Sequence, residues 1–215
     1  MNIVKPIINR NILIEKASIE EVVNYSISNE IDVEDFEFNN CIEPNIELYK
    51  TEFNKCIFKN CRCIDSNFTK VSFTDVIFEN CDFSNTDFSQ SHLVRISFIN
   101  CKLVGCNFSD STLYQTIIKD SNLNYSNISM SAIRNTIFEN TNLINSSIQE
   151  SIFKEVYFKE SNLSLCNLFK TNLKGLDFTT SNIEGIIVDI QDLKGVIVNT
   201  YQALELSKLL GIVIK

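Results

Sequence analysis

Glycine and proline are scarce in this chain, at 5 and 2 among 215 residues, and tryptophan is absent. Five scattered glycines exclude a glycine-rich loop that cradles phosphate. A single histidine, His92, leaves little for metal or nucleophile chemistry that depends on imidazole. No apolar run approaches the ~20 residues of a membrane-spanning helix. The opening, Met1-Asn2-Ile3-Val4-Lys5-Pro6 followed by Asn9, Arg10 and Asn11, lacks the unbroken apolar stretch of a secretory signal. Positive charge is in deficit: 19 basic residues against 27 acidic ones give a net charge of −8. That balance argues against direct nucleic-acid binding, which needs a cationic surface. A cytoplasmic protein without membrane contact is expected, and a hydrophobic fraction of 44% marks it as globular.

What is abundant is asparagine, with 27 copies, and asparagine accepts turn and left-handed conformations better than other residues bearing a side chain. A fold with many similar corners follows. The corners recur every five residues. From Phe38 to Val198, every fifth residue is Phe, Leu, Ile or Val, except Glu43 and Cys63, and 14 of the 16 phenylalanines stand in this column. Neither the helical period of 3.6 nor the strand period of 2 produces this. Two residues before each large position stands a small or β-branched one, as in Cys61, Ser66, Val71, Val76, Cys81, Thr86 and Ser91. Asn or Asp often lies between them, as in Ser121-Asn122-Leu123 and Ser161-Asn162-Leu163.

A longer repeat sits above this one. Cys56-Ile57-Phe58-Lys59-Asn60-Cys61 returns as Val76-Ile77-Phe78-Glu79-Asn80-Cys81, 20 residues on. Four units of five therefore close one turn, and the shape is a four-sided solenoid with coils ~4.8 Å apart. These residues resemble the pentapeptide-repeat family, whose unit is a small residue, Asp or Asn, then Leu or Phe, then two variable positions. The resemblance covers about residues 33 to 200 and implies an all-β, right-handed quadrilateral β-helix of about eight coils. The expected organisation is an N-terminal cap over 1–32, the β-helix over 33–198, and a C-terminal capping helix with a tail over 199–215.

At the first end, Ile12-Leu13-Ile14 reads as a strand covering the bottom coil. Ser18-Ile19-Glu20-Glu21 reads as a capping box opening a helix to about Tyr25. At the other end, Asn199 or Thr200 opens a helix to about Leu210, stopped by Gly211. Leu204, Leu206, Leu209, Leu210, Ile212, Val213 and Ile214 form more apolar surface than one coil needs, which fits either a buried cap or a homodimer joined end to end. The stretch from Asp192 to Val213 also resembles the C-terminal module of the quinolone-resistance branch of the family. That resemblance implies a two-fold dimer.

Catalysis is not expected, because the inward columns are apolar and leave no cleft for convergent polar groups; His92 occupies an outward position. No cofactor or metal is expected either. Cys41, Cys61, Cys81 and Cys101 stack 20 residues apart, close enough for disulfides, but the column continues as Ser121, Thr141, Ser161 and Ser181. The position asks for a small side chain, so buried reduced thiols are expected. Cys61-Arg62-Cys63 lacks a second pair at ligand spacing.

Outward, Ile57, Ile77, Ile117, Ile137 and Tyr157 form an exposed-looking row beside a charge ladder that includes Glu79 and Glu139. The row either fills a flat face or meets a partner. The side of Phe53, Phe73 and Leu93 bears Lys55, Arg95, Arg134, Lys154, Lys174 and Lys194 against Glu52, Asp75, Glu155 and Asp192, a net of 6 − 4 = +2, while the rest of the solenoid is acidic. The quinolone-resistance branch implies a rod that mimics duplex DNA and binds DNA gyrase or topoisomerase IV. Between residues 33 and 198 the charge is 14 − 21 = −7, against ~23 phosphates on ~40 Å of duplex. Shape would carry much of such mimicry. The loops that project from that branch are absent, since the register from 48 to 198 is unbroken. The other reading is a structural or scaffolding protein that uses a flat face.

Overall fold

A computed structural model describes residues 3–212. The chain forms a parallel β-solenoid of about seven turns with a short C-terminal helix. Strand β1 (Ile14–Lys16) and helix α1 (Ile19–Asn29) precede the coils. The coils hold β2 (Val33–Glu34), β3 (Phe36–Asn39), β4 (Glu52–Asn54), β5 (Ile57–Lys59), β6 (Ser72–Glu79) and β7 (His92–Ile99). Above them lie β8 (Thr112–Tyr114), β9 (Ile117–Lys119), β10 (Ala132–Glu139) and β11 (Ile152–Lys159), and helix α2 (Thr200–Ser207) closes the chain. All strand pairs are parallel and register residues 20 apart, as in Phe73 with Leu93 and Phe78 with Phe98, except that β1 meets β3 at an offset of 22.

The sides of one coil are named here by Phe73, Phe78, Phe83 and Phe88. Every non-glycine residue with positive φ carries a number divisible by five, from Glu30 to Lys170. From 35 to 175 each corner of the coils thus turns on one left-handed residue, the conformation that asparagine tolerates best among residues with a side chain. Gly105, Gly175, Gly185 and Gly195 occupy the same position. At Gly105 a Cβ would lie 2.6 Å from the Asn85 side-chain oxygen, so a larger residue there requires the Asn85 amide to move.

Inside, phenylalanines stack along the axis and meet edge-on around each coil. Ring centroids of Phe58 and Phe78 lie 4.9 Å apart at 25°, and those of Phe78 and Phe83 lie 5.3 Å apart at 89°. The small column explains its own composition. The Ser91 hydroxyl donates to the Phe68 carbonyl at 2.9 Å, and the Cys101 thiol donates to that of Phe78 at 3.4 Å. Ser, Thr and Cys interchange because all three are small and can donate to a carbonyl of the coil below. All eight cysteines are free and buried.

The second residue of each five decides what kind of side forms. On the Phe83 and Phe88 sides it is mostly Asn or Asp, whose carboxyl or amide oxygen accepts the backbone N–H two residues on. Asp82 takes Ser84 at 3.0 Å, and Asp87 takes Ser89 at 2.8 Å. These Asx turns leave only isolated bridges between coils. On the Phe73 and Phe78 sides the same position holds Ser72, Ile77, His92, Thr112, Ile117 or Ile137, and true strands form.

The ends are closed by single polar side chains. Glu43, one of the two exceptions in the large column, accepts the Ile19 N–H at 3.0 Å and the Glu20 N–H at 3.2 Å. It thereby caps α1, whose Ile19, Val22 and Val23 join the core. Ser18 accepts the Glu21 N–H, and α1 runs on to Asn29, four residues beyond the expected end. The covering strand is Ile14–Lys16, while Ile12 lies outside it. At the top, Asn199 and Gln202 form a capping box, and α2 passes through a 3-10 turn to Gly211. Buried Gln202 donates to the carbonyls of Phe178 and Ser181, both at 2.7 Å.

Candidate functional surfaces

With its inward columns filled, the molecule presents its outer rows and its ends to solvent. The isoleucine row is not the free stripe expected from sequence. Ile57 is fully buried, Ile77, Ile117 and Ile137 are half-buried, and only Tyr157, at 40% exposure, is open. The reason is an N-terminal arm, residues 3–12, that runs axially over this row. The Val4 N–H donates to the Gln115 side chain at 2.6 Å, and the Ile7 N–H to Asp75 at 2.9 Å. Those acceptors are two coils apart, a rise of ~10 Å that three extended residues span. Arg10 then reaches Glu79 at 3.7 Å, and β1 pairs with Phe36–Phe38, so the chain crosses the Ile57 coil between them. Asp75 is buried and gripped by Arg95 through two bonds of 2.6 Å. Between arm and row lies a groove lined by Ile3, Pro6, Ile8, Ile77, Ile117 and Ile137.

The charge ladder beside this row is only partly realised. Lys119 and Lys159 flank Glu139 at 3.2 and 3.5 Å, and the Lys119 ammonium first of all holds the Glu139 carboxyl below its ordinary range. Lys59 turns to Glu37 at 2.6 Å instead of Glu79. His92 is exposed. Among the described residues no group of His, Cys, Asp and Glu could hold a metal ion, and no helix is long and apolar enough to cross a membrane.

At the C-terminal end, Leu204, Leu209, Leu210 and Ile212 are exposed, between 38% and 60%, and Leu206 is half-buried. They stand beside a shallow apolar pocket lined by Ile190, Leu193, Val198 and Leu206. Val213 and Ile214 lie outside the described residues.

The Phe73 and Phe78 sides change at the top. Asn172 and Asp177 replace the strand-forming residues, and accept the N–H of Lys174 and Thr179, each at 2.9 Å. This Asx-turn coil stacks over the strand β11, and the two do not match. β11 pairs only with β10, and no backbone hydrogen bond joins 152–159 to 172–179. Glu155, whose equivalents Lys55 and Gln115 donate to the coil above at 2.9 and 3.1 Å, has no such partner. The Phe158 and Phe178 rings are 5.6 Å apart, against 4.9 Å for Phe138 and Phe158.

This geometry defines a class: a stacked parallel solenoid with apolar rungs inside and polar rows outside. Family comparison is decisive within that class. A pentapeptide repeat region model matches residues 31–98, 71–143 and 91–168, and a model of eight pentapeptide repeats matches 153–185. The chain belongs to the pentapeptide-repeat family. Among solved structures it is similar to QnrB1, a plasmid-mediated fluoroquinolone resistance protein. A trypsin-treated variant of QnrB1 gives 22% identity and a TM-score of 0.57, covering 83% of this chain and 91% of that one. Full-length QnrB1 gives 22% and 0.56, covering 82% and 91%. HetL of the cyanobacterium Nostoc, involved in heterocyst differentiation regulation, gives 12% and 0.36, covering 85% and 98%. No curated protein matches the sequence.

Proposed function

We propose that this protein is a non-catalytic rod that engages a type II topoisomerase, DNA gyrase or topoisomerase IV, in the manner of a DNA mimic. The observation that carries the reading is the likeness to QnrB1 across nearly the whole of both chains. An acidic solenoid, net −7 over residues 33–198, is compatible with a site built for duplex DNA. Of the row expected to meet a partner, Tyr157 is the member left open by the arm, and with Glu139 beside it belongs to the contact side. A homodimer joined through the exposed C-terminal leucines would double the rod.

A supercoiling assay with purified gyrase, with and without a fluoroquinolone, tests the first part. A change in supercoiling or in drug-stabilised cleavage at micromolar protein supports it, and no effect in either condition removes it. For the dimer, light scattering on Leu204→Glu/Leu210→Glu is informative: both side chains are exposed, so the fold survives while the mass falls to that of one chain. A wild-type mass of one chain would refute the interface.

A further inference from the structure

We propose that the groove between the N-terminal arm and the isoleucine row is a binding site for a free medium-chain carboxylate, a linear alkyl chain with one anionic head. The inference is independent of the topoisomerase reading.

Shape comes first. At one outward position β6, β7, β9 and β10 carry Ile77, Ser97, Ile117 and Ile137, registered one above another. At the neighbouring outward position they carry Glu79, Ile99, Lys119 and Glu139. The β7 coil thus reverses both columns, with a small residue where its neighbours have isoleucine and isoleucine where they have charge. The first change deepens the floor in mid-row, and the second makes the adjoining wall apolar at the same level. The arm supplies the opposite wall through Ile3, Pro6 and Ile8, all half-buried. Its anchors, Gln115 and Asp75, are corner residues, and a space of about 600 Å³ remains between arm and row. From Ile77 to Ile137 the floor rises three coils, ~14 Å. An extended alkyl chain advances ~1.3 Å per carbon, so about ten to twelve carbons cover that length.

Charge fixes the head group. The groove is lined by Lys5, Arg10 and Lys119 against Glu79 and Glu139, in a chain whose net charge is −8. Both carboxylates are engaged: Arg10 reaches Glu79 at 3.7 Å, and Glu139 is shared by Lys119 and Lys159 at 3.2 and 3.5 Å. Lys5 is exposed and makes no ion pair among the described residues. A cation is thus left over beside an apolar slot, and a carboxylate with an alkyl tail satisfies both at once. The floor strands are already paired with the coils on both sides, so they offer no backbone partners to a peptide. An alkyl chain needs none.

The test is isothermal titration calorimetry of the full chain with octanoate, decanoate, dodecanoate and tetradecanoate, each below its micelle concentration. Controls are decanol, decylammonium and phosphatidylglycerol vesicles. The proposal expects one site per chain and an affinity that rises about two- to fourfold per methylene. The rise should level off between dodecanoate and tetradecanoate, where the chain outruns the row. Lys5→Glu should weaken decanoate about fivefold and leave decanol unchanged. Ser97→Ile continues the row of Ile77 and Ile117, so circular dichroism should stay the same while the filled slot no longer binds. No binding up to about 1 mM, decanol or decylammonium binding as tightly as decanoate, or full binding by Ser97→Ile would each overturn it. So would steady strengthening through tetradecanoate with many molecules per chain, or binding to the vesicles in place of the free carboxylate.

Discussion

Gln202 shows how much one side chain does at the end of a solenoid. Its two amide protons go to the carbonyls of Phe178 and Ser181, at the point where the last coil gives way to α2. Gln202→Leu keeps the volume but leaves the Ser181 carbonyl bare and the Phe178 carbonyl with the Ser181 N–H alone, at a cost of about 1–3 kcal/mol. Urea unfolding should show a lower midpoint with unchanged slope, and an unchanged midpoint would deny Gln202 its capping role. The cysteines are governed by the same interior. Desolvation pushes the thiols of Cys56 and Cys166 up to about 12, so at pH 8 only ~10⁻⁴ of either is thiolate. Dithionitrobenzoate should therefore find no fast-reacting thiol in the folded protein and all eight after denaturation. A rapid native reaction would contradict the packing of the small column.

At the scale of the element, the N-terminal arm is a strap fastened by backbone amides onto corner side chains, Gln115 and Asp75. Deleting residues 1–12 should leave the β-sheet circular dichroism intact, because the coils hold themselves. It should also uncover Ile77, Ile117 and Ile137, raising the fluorescence of a hydrophobic dye and lowering stability by about 2 kcal/mol. Unchanged dye binding would mean the arm does not cover the row. The coils were legible in the sequence because the period of five is written in the Phe column and in the Ser, Thr and Cys column beside it. The arm was not, since residues 3–12 carry no repeat and their anchors look like any other corner residue. Glu43 was visible as an anomaly, but its meaning depends on where α1 begins. Asn172 and Asp177 were equally visible, and look ordinary until the strand beneath them is known. The comparison of one coil with its neighbour, rather than of each unit with the consensus, is what reveals the gap.

Across the whole molecule, stability is close to a sum of coil-to-coil interfaces, so the weakest interface decides where the rod opens. That interface lies between β11 and the residues 172–179 above it, where two of the four sides contribute no ladder and the Phe158–Phe178 stack is stretched to 5.6 Å. The Phe83 and Phe88 sides still bond across, as Leu163 N–H to Asn182 O and Leu168 N–H to Ile187 O at 2.7 Å, so the top remains hinged rather than free. Sub-global opening should begin there. In hydrogen exchange read by mass spectrometry at rising urea, peptides from 172–207 should lose protection at lower urea than peptides from 72–99. With Asn172→Ile/Asp177→Ile the added ladder bonds should draw the two transitions together. A single transition in the wild-type chain would show instead that the two hinged sides alone carry full cooperativity to the cap, and that the missing ladder costs the rod nothing.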